Sequence, residues 1–507
     1  MIPLIRTLRT SSKEDLRADV IAGLTTAIML VPQGMAYAML AGLDPIVGLY
    51  ASTIPLALYA LFGSSRPLAV GPVAMDSLMV AAGLLPLVQG DPVAYAAYAA
   101  MLALMVGGIQ IALGLLRAGI LVRFLAQPVI LGFTAAAALI IGLSQLKSAV
   151  GIPLPRSQQV HVIVMAAVQS LNQIHPLTFA ISAAAVVTLV VLKKKAPKFP
   201  RFLLVVAIGT LVTWAAGLNT MGVDIVGDVP AGLPGIGLPA VDLSVVATLF
   251  PIAFAIAMVA MMEAISVAKR YDHDVVPNRE LVSLGLANVG SGMVGGYPVT
   301  GGFSRTAVNA QAGARSPLAG LVTSAVVVVT LLFLTQYFFF LPKAVLAAII
   351  MTAVAGLIDV AGVKRLWANN RVDFGVAAVT FAATLGLGIQ LGMAIGVGTS
   401  FAAFVWRTAQ PSVVNQSGRE DELHVVLPGP LYFGNVEAVE SGLESLEAGR
   451  TFRSVVIDTS ASGQLDSVAL SLLDRLSARY TDAGSVVEFV HAATTTTTPA
   501  PAEPVGA

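Results

Sequence analysis

The chain of 507 residues contains no cysteine and only five histidines. The first absence excludes disulfides, thiolate chemistry and cysteine-based metal sites, and is silent on compartment. Charge is scarce too: 11% of residues are Asp, Glu, Lys or Arg, where a soluble domain carries about 25%. The formal net charge of +1 offers no basic surface to nucleic acid. No HExxH or GxSxG motif occurs, so an enzyme is not expected and no cofactor is called for. No Walker-type phosphate loop occurs either, which argues against ATP-driven transport. The opening MIPLIRTLRTSSKEDLRADV lacks a short apolar core with a small-residue cleavage site, so no cleavable signal peptide is expected. What the chain has is apolar sequence, 56% by composition with a mean hydropathy of +0.84. That is the composition of an integral membrane protein.

A membrane span needs about 20 mainly apolar residues. Fourteen candidates are expected, near 18–40, 45–63, 68–88, 94–116, 120–146, 160–192, 202–217, 244–269, 280–294, 298–314, 317–340, 344–360, 372–388 and 389–406. Basic residues orient them, because cytoplasmic loops are enriched in Lys and Arg. With the N-terminus inside, the inner loops hold Arg66, Arg117, Arg123, KKKAPKFPR (193–201), KRYDHDVVPNRE (269–280), Arg315 and KRLWANNR (364–371). The outer stretches QGDPVA and LNTMGVDIVGDVPAGLPGIGLPAVD have none. Lys147, Arg156 and Lys343 are exceptions. The pattern predicts an even span number with both termini in the cytoplasm.

Two broken segments occupy matching places: RPLAVGPVAMDSLMVAAG (66–83) and GYPVTGGFSRTAVNAQAG (296–313). Each passes from β-prone residues through Gly or Pro into a helical pattern. Upstream of each, a polar residue interrupts an apolar span: Gln33 in MLVPQGMAYAML and Glu263 in AMVAMMEAISVA. The offsets are 230 residues for that pair and 231 for the broken segments. The regions 15–217 and 240–407 therefore read as diverged copies of seven spans, the second inverted by the odd number. Inverted repeats with paired broken helices place a transport site near the midplane.

Extended backbone cannot face lipid, so Pro298–Gly302 requires a partner, and Leu68–Gly71 is the expected one. Two helix N-termini would then meet head to head, each carrying roughly +0.5 charge, as an anion site. Arg305 falls in the first turn of one. An arginine at bilayer depth costs at least about 2.5–3.5 kcal/mol, tolerable where it meets an anion, a carboxylate or water. Other readings place it near the surface, or pair it with Glu263 or Asp76. Glu263 fits a counter-charge or a proton acceptor, with Asp76 competing for the second role. Gln33 and Tyr37, one helical turn apart, either face the site or make ordinary interhelical hydrogen bonds.

The pieces VPQGMAYAMLAGLDPIVGLYAS (31–52), ALFGSSRPLAVGPVA (60–74) and NRELVSLGLANVGSGMVGGYPVTGGFSRTAVNAQAGARSPLAG (278–320) resemble the SulP sulfate-permease family of anion transporters. The resemblance covers nearly the whole chain. It implies an all-α polytopic membrane domain (1–410) of fourteen spans. These form two inverted seven-span repeats in the core-plus-gate arrangement also used by nucleobase carriers, with two half-helices. It implies a homodimer in a bacterial-type inner membrane, moving a small anion by rocking or elevator-like alternating access. The anion would lie near Gln33, Tyr37, Val73, Ala74, Gly302, Phe303, Ser304 and Arg305, with Glu263 as the proton-coupling acid. The resemblance to bacterial members implies proton-coupled uptake of a fumarate- or succinate-type dicarboxylate or sulfate, with sodium as another coupling ion. An exchanger or an uncoupled channel for bicarbonate, chloride or sulfate remains the alternative. Nucleobase carriers use carboxylates in both broken regions, and Arg305 argues for an anion instead.

From about 411 the pattern alternates strand and helix, as in HVVLPGPLYFGNVEAVESGLESL and RSVVIDTSASGQLDSVALSLLDRLSARY. This segment (411–491) resembles a cytoplasmic α/β STAS domain. Where anti-sigma-factor antagonists can be phosphorylated after Asp-Ser, Val468 follows Ser467, so no phosphoswitch is expected there. The family's last helix is not recognisable after SVVEFVH, and residues 492–507 read as a disordered low-complexity tail.

Overall fold

The computed structural model describes residues 11–490 apart from 89, 120–126, 156, 158, 197–198, 240–242, 273, 411–413, 416–420, 428, 448–449 and 464. Arg123, Arg156 and the low-complexity tail lie outside the described residues. The chain divides into two units, 1–399 and 400–507.

The first unit opens with α1 (Lys13–Leu40), started by a capping box in which Ser12 Oγ accepts from Asp15 N at 3.1 Å and Asp15 Oδ2 accepts from Ser12 N at 2.9 Å. There follow α2 (Pro45–Tyr50), α3 (Ile54–Phe62), β1 (Val70–Gly71), α4 (Ala74–Leu84) and α5 (Pro92–Leu115). Next come α6 (Gln127–Ser144), α7 (Leu146–Val150), α8 (Val160–Gln169), α9 (Pro176–Lys195) and α10 (Arg201–Ala215). The later half supplies α11 (Leu243–Tyr271), α12 (Pro277–Met293), β2 (Thr300–Gly301), α13 (Phe303–Gln311) and α14 (Leu318–Val329). It ends with α15 (Lys343–Val354), α16 (Val360–Asn369), α17 (Arg371–Leu387) and α18 (Ile389–Thr408).

Packing sorts these helices into two groups that each mix early and late sequence. In one, α1 packs on α13 and α14, α3 on α12 and α14, α4 on α11, and α5 on α11 and α12. In the other, α6 packs on α17 and α15, and α9 on α10 and α15. The groups meet where α1 touches α10 and α15, and where α4 touches α6.

The tightest joint is α5 against α12. A Cβ on Gly107 would lie 2.6 Å from the Gly285 carbonyl oxygen, and one on Gly285 would lie 2.7 Å from that of Gly107. Further along, Gly114 meets the Asn278 carbonyl and Gly292 the Ala100 carbonyl, so the helices run antiparallel with backbones in contact. Small residues permit this in a membrane, where apolar side chains gain nothing by leaving lipid. A second joint is polar: fully buried Asp19 of α1 accepts from Arg315 N (2.7 Å), Ser316 N (2.9 Å) and Ser316 Oγ (2.5 Å), satisfying the turn that leads into α14.

Among the described residues, eight helical runs are long and apolar enough to cross a membrane, against fourteen expected spans. The remainder are shorter or less apolar. The expected span 160–192 is two helices, because His175 and Pro176 start a new one after a 3₁₀ turn at Leu171–Gln173. The expected span 68–88 is a strand followed by an 11-residue helix, and 298–314 a strand followed by a 9-residue one. Residues 45–63 form two short helices, broken between Tyr50 and Ile54. Past Val354 the chain makes a 3₁₀ turn, and α16 covers most of the expected KRLWANNR loop.

In the second unit, β3 (Val414–Asn415), β4 (Glu422–Val426), β5 (Ser454–Asp458) and β6 (Val486–Val490) form one sheet in that order, antiparallel at the first pair and parallel thereafter. Helices α19 (Val436–Glu447) and α20 (Ser467–Asp482) connect the parallel strands. Leu423, Val425, Val455 and Ile457 bury the alternate residues of the central strands against Leu443, Leu472 and Leu476. Asp466 caps α20 by accepting from Ala469 N at 2.8 Å and also accepts from Phe433 N at 2.8 Å, and these bonds hold its carboxyl below the ordinary carboxylate range.

Replacing Gly285 with Val should cost at least about 1–3 kcal/mol, the usual penalty of overpacking, here with backbone on the far side. Thermal unfolding in detergent should show it, with Gly108→Val as the control, since nothing lies within 4 Å of a Cβ there. Equal stability of the two variants would rule out the α5–α12 backbone contact.

Candidate anion-binding site

The site begins with a backbone problem. β1 and β2 are extended segments amid membrane helices, and they pair antiparallel, Val70 with Gly301 and Gly71 with Thr300. Gly302 N adds a bond to Ala69 O at 3.2 Å. Side chains complete the rest. Thr306 Oγ1 accepts from Ala69 N at 3.1 Å, and Asn309 Nδ2 donates to Pro67 O at 2.9 Å. Asn288 accepts from Val299 N at 2.8 Å and donates to Val299 O at 2.9 Å, while Thr300 Oγ1 donates to Ala260 O at 2.7 Å.

Each strand leads straight into a half-helix. The N-caps, Val73 of α4 and Gly302 of α13, are extended and make no side-chain cap. The first intrahelical bonds are Ser77 N to Val73 O and Thr306 N to Gly302 O. The N–H groups of Ala74–Asp76 and Phe303–Arg305 therefore precede the hydrogen-bonded turns. Uncapped helix starts of this kind favour negative charge.

Arg305 is 1% exposed and is the largest side chain in the fully buried class. Its Nη1 donates to the Pro72 carbonyl oxygen, while Nε and Nη2 have no hydrogen-bond partner among the described residues. The guanidinium lies over two glycines. A Cβ on Gly302 would approach Nη2 to 2.9 Å, and one on Gly71, whose φ is 155°, would approach it to 3.4 Å. No ion pair within 4.0 Å reaches Arg305 among the described residues. Tyr37, Glu263 and Tyr297 stand within electrostatic range of it.

Other unpartnered polar atoms gather in the same helix group. Both amide atoms of fully buried Gln33 and both carboxylate oxygens of fully buried Asp76 lack partners among the described residues, as does Glu263 Oε2. Glu263 is half-buried on α11 and faces Arg305 and Asp76 electrostatically. Of the expected residues, Gln33, Tyr37, Val73, Ala74, Gly302 and Arg305 are buried, and Phe303 and Ser304 half-buried. All belong to helices of the first packing group.

A cavity of about 540 Å³ lies between the groups. Ala36 and Met39 of α1 and Leu78 of α4 line one wall, with Lys147 of α7 and Leu346 and Ile350 of α15 opposite. It reaches the residue next to Tyr37 and the first turn after Ala74.

Residues 16–380 match the model of the sulfate permease family, and residues 414–497 match the STAS domain. The chain belongs to the sulfate permease family. It is 37% identical over 504 residues to "Probable sulfate transporter 4.2" of Arabidopsis thaliana, covering 93% of this chain and 73% of that protein. Its fold matches murine Slc26a9, described as an anion transporter in the inward-facing state, with a TM-score of 0.85 and 26% identity over 96% of this chain and 87% of that one. It also matches the transmembrane domain of a cyanobacterial bicarbonate transporter, BicA, with a TM-score of 0.66 and 26% identity over 77% of this chain and 98% of that one. This sulfate permease family member is thus a multi-pass integral membrane protein of an anion-transporter family.

Sequence reasoning did not single out Ser77, Tyr297, Thr306 or Asn309. Thr306 and Asn309 secure the strand ends, and Ser77 Oγ lies 3.2 Å from Tyr297 OH. The available signal was the spacing of Arg305 and Asn309, which puts both on one face of α13.

Gly302→Ala should displace the guanidinium and raise the KM for anion uptake about tenfold, equivalent to about 1.4 kcal/mol, with folded yield retained. Uptake assays in proteoliposomes read this directly. An unchanged KM would mean the anion does not meet Arg305 in this position.

Proposed function

We propose that the protein is a proton-coupled secondary transporter of a divalent oxyanion, with sulfate as the first candidate and C4-dicarboxylates as competitors of equal charge. The observation that carries this reading is Arg305, fully buried between two uncapped half-helix starts, with two guanidinium nitrogens that have no hydrogen-bond partner among the described residues. A buried charge needs a partner, and an anion at the helix ends supplies one. Sulfate is preferred because the Arabidopsis relative is named a sulfate transporter. The residues proposed to bind it are Gln33, Tyr37, Val73, Ala74, Gly302, Phe303, Ser304 and Arg305.

Glu263 is proposed as the coupling acid. Ionised, it offsets Arg305 and weakens the site for anions; protonated, it leaves the positive charge uncompensated. An anion and a proton therefore favour each other's binding, which is what symport requires. Alternating access would follow from rocking of the two packing groups about their contacts, with the cavity as the opening on one side. In this reading the membrane unit comprises fourteen elements in two inverted repeats, and both termini lie in the cytoplasm of a bacterial-type cell.

The test is uptake of labelled sulfate, succinate, fumarate and bicarbonate into proteoliposomes, with and without an inward proton gradient. Arg305→Ala should abolish saturable uptake while the variant still folds. Glu263→Gln should retain exchange of anions but show weaker acceleration by the gradient than the unmodified protein. Wild-type kinetics in the first variant would remove the site assignment. Gradient-independent equilibration in the unmodified protein would instead make it a channel or uniporter.

A further inference from the structure

Asp76 is a buried acid with no assigned work. It is the third residue of α4, where an aspartate ordinarily accepts from backbone N–H groups or caps the helix. Here both oxygens lack hydrogen-bond partners among the described residues, and the residue is 0% exposed. The neighbouring Ser77 hydroxyl is committed to the Val73 carbonyl oxygen at 2.7 Å and to Tyr297 OH at 3.2 Å. Among the described residues no ion pair within 4.0 Å reaches Asp76 either. An ionised carboxylate in that setting is costly, and a structural role would have given it donors.

Among the described residues, the carboxylate that faces it is Glu263. Glu263 in turn faces Arg305. Helix α11 packs on both α4 and α13, so the three groups lie on adjoining elements with Glu263 on the shared one. Tyr297 lies within electrostatic range of both Asp76 and Arg305, and Tyr37 of α1 faces Arg305 and Glu263. Helices α5 and α6, which also pack on α4, carry no charged residue.

Formal charge then decides the loading state. With both acids ionised, the trio sums to minus one around one arginine, and repels an anion. With one proton it is neutral. With two protons the arginine and both half-helix starts act on the anion unopposed. We infer that Asp76 and Glu263 form a paired proton site beside the anion, so that each divalent anion crosses with two protons and the cycle moves no net charge. This rests on the symport reading above and adds to it a second proton, its residue and its electrical consequence. The protons enter on the side of higher acidity, bind one to each carboxylate, and leave with the anion on the other side, so the balance needs no further reactant.

The experiment is sulfate accumulation at steady state in proteoliposomes held at defined pH gradient and clamped potential. Each coupled proton contributes about tenfold accumulation per pH unit. The unmodified protein should accumulate sulfate about a hundredfold per pH unit, with no effect of a potassium–valinomycin potential of either sign. Asp76→Asn should fall to about tenfold per unit and become sensitive to potential. If that variant does not fold, the potential test on the unmodified protein still decides. Tenfold accumulation with potential sensitivity in the unmodified protein, unaltered in Asp76→Asn, would overturn the pair while leaving single-proton symport standing. No accumulation under any proton gradient would instead overturn the symport reading itself. Accumulation driven by a sodium gradient at equal pH would overturn protons as the coupled ion.

Discussion

The structure depends on one constraint: main-chain N–H and C=O groups inside a membrane must be paired. A continuous helix meets it automatically. Two interrupted helices do not, and here they meet it only together, through Val70–Gly71 and Thr300–Gly301. Everything at the site follows from that two-residue ladder. It joins segments 230 residues apart, it sets where α4 and α13 begin, and it points both helix starts into the same helix group. The supporting side chains, Asn288, Thr300, Thr306 and Asn309, all bond to backbone of this region.

The glycines are part of the same solution. Gly71 and Gly302 hold the Arg305 guanidinium against bare backbone, where a side chain would push it away. Its Nη1 bond to Pro72 fixes one edge. The other edge carries the nitrogens without partners among the described residues. An arginine so placed is expensive unless something negative visits it. That makes the site a balance of charges rather than a tight polar cage, and a balance of charges is readily altered by one proton.

Much of this was legible in the sequence. The Gly- and Pro-broken stretches at 66–83 and 296–313 announced the strands, and the requirement for a partner named each as the other's. Arg305, Gln33 and Glu263 stood out because polar residues in apolar spans are rare. The spans themselves were less legible. The 160–192 run is apolar on average, yet it holds the polar stretch QSLNQIH, and His175 and Pro176 restart the helix there, since hydropathy averages over a local break. Residues 45–63 conceal another break. The residues that secure the ladder were hidden for a different reason. Thr306 and Asn309 are ordinary polar residues by type, and their partners, the carbonyl and amide of Pro67 and Ala69, lie more than two hundred positions away.

The packing explains how such a site could move without coming apart. The ladder, both half-helices, Glu263 and the α5–α12 glycine joint all lie within one helix group. Backbone-to-backbone contact at Gly107 and Gly285 leaves little slack there. The opposing group touches it through α10 and α15 on α1, and through α6 on α4, with a cavity of about 540 Å³ between α4 and α15. In the proposed rocking, this boundary with fewer joints and an open cavity would be the plane of relative motion. Motion along it would carry anion, arginine and acids together, so their mutual electrostatics would stay constant while access changed. In the proposed symport, coupling would then require only that the charge of the loaded group be tolerable at mid-passage, which is a condition on protonation and not on any change of shape within the site.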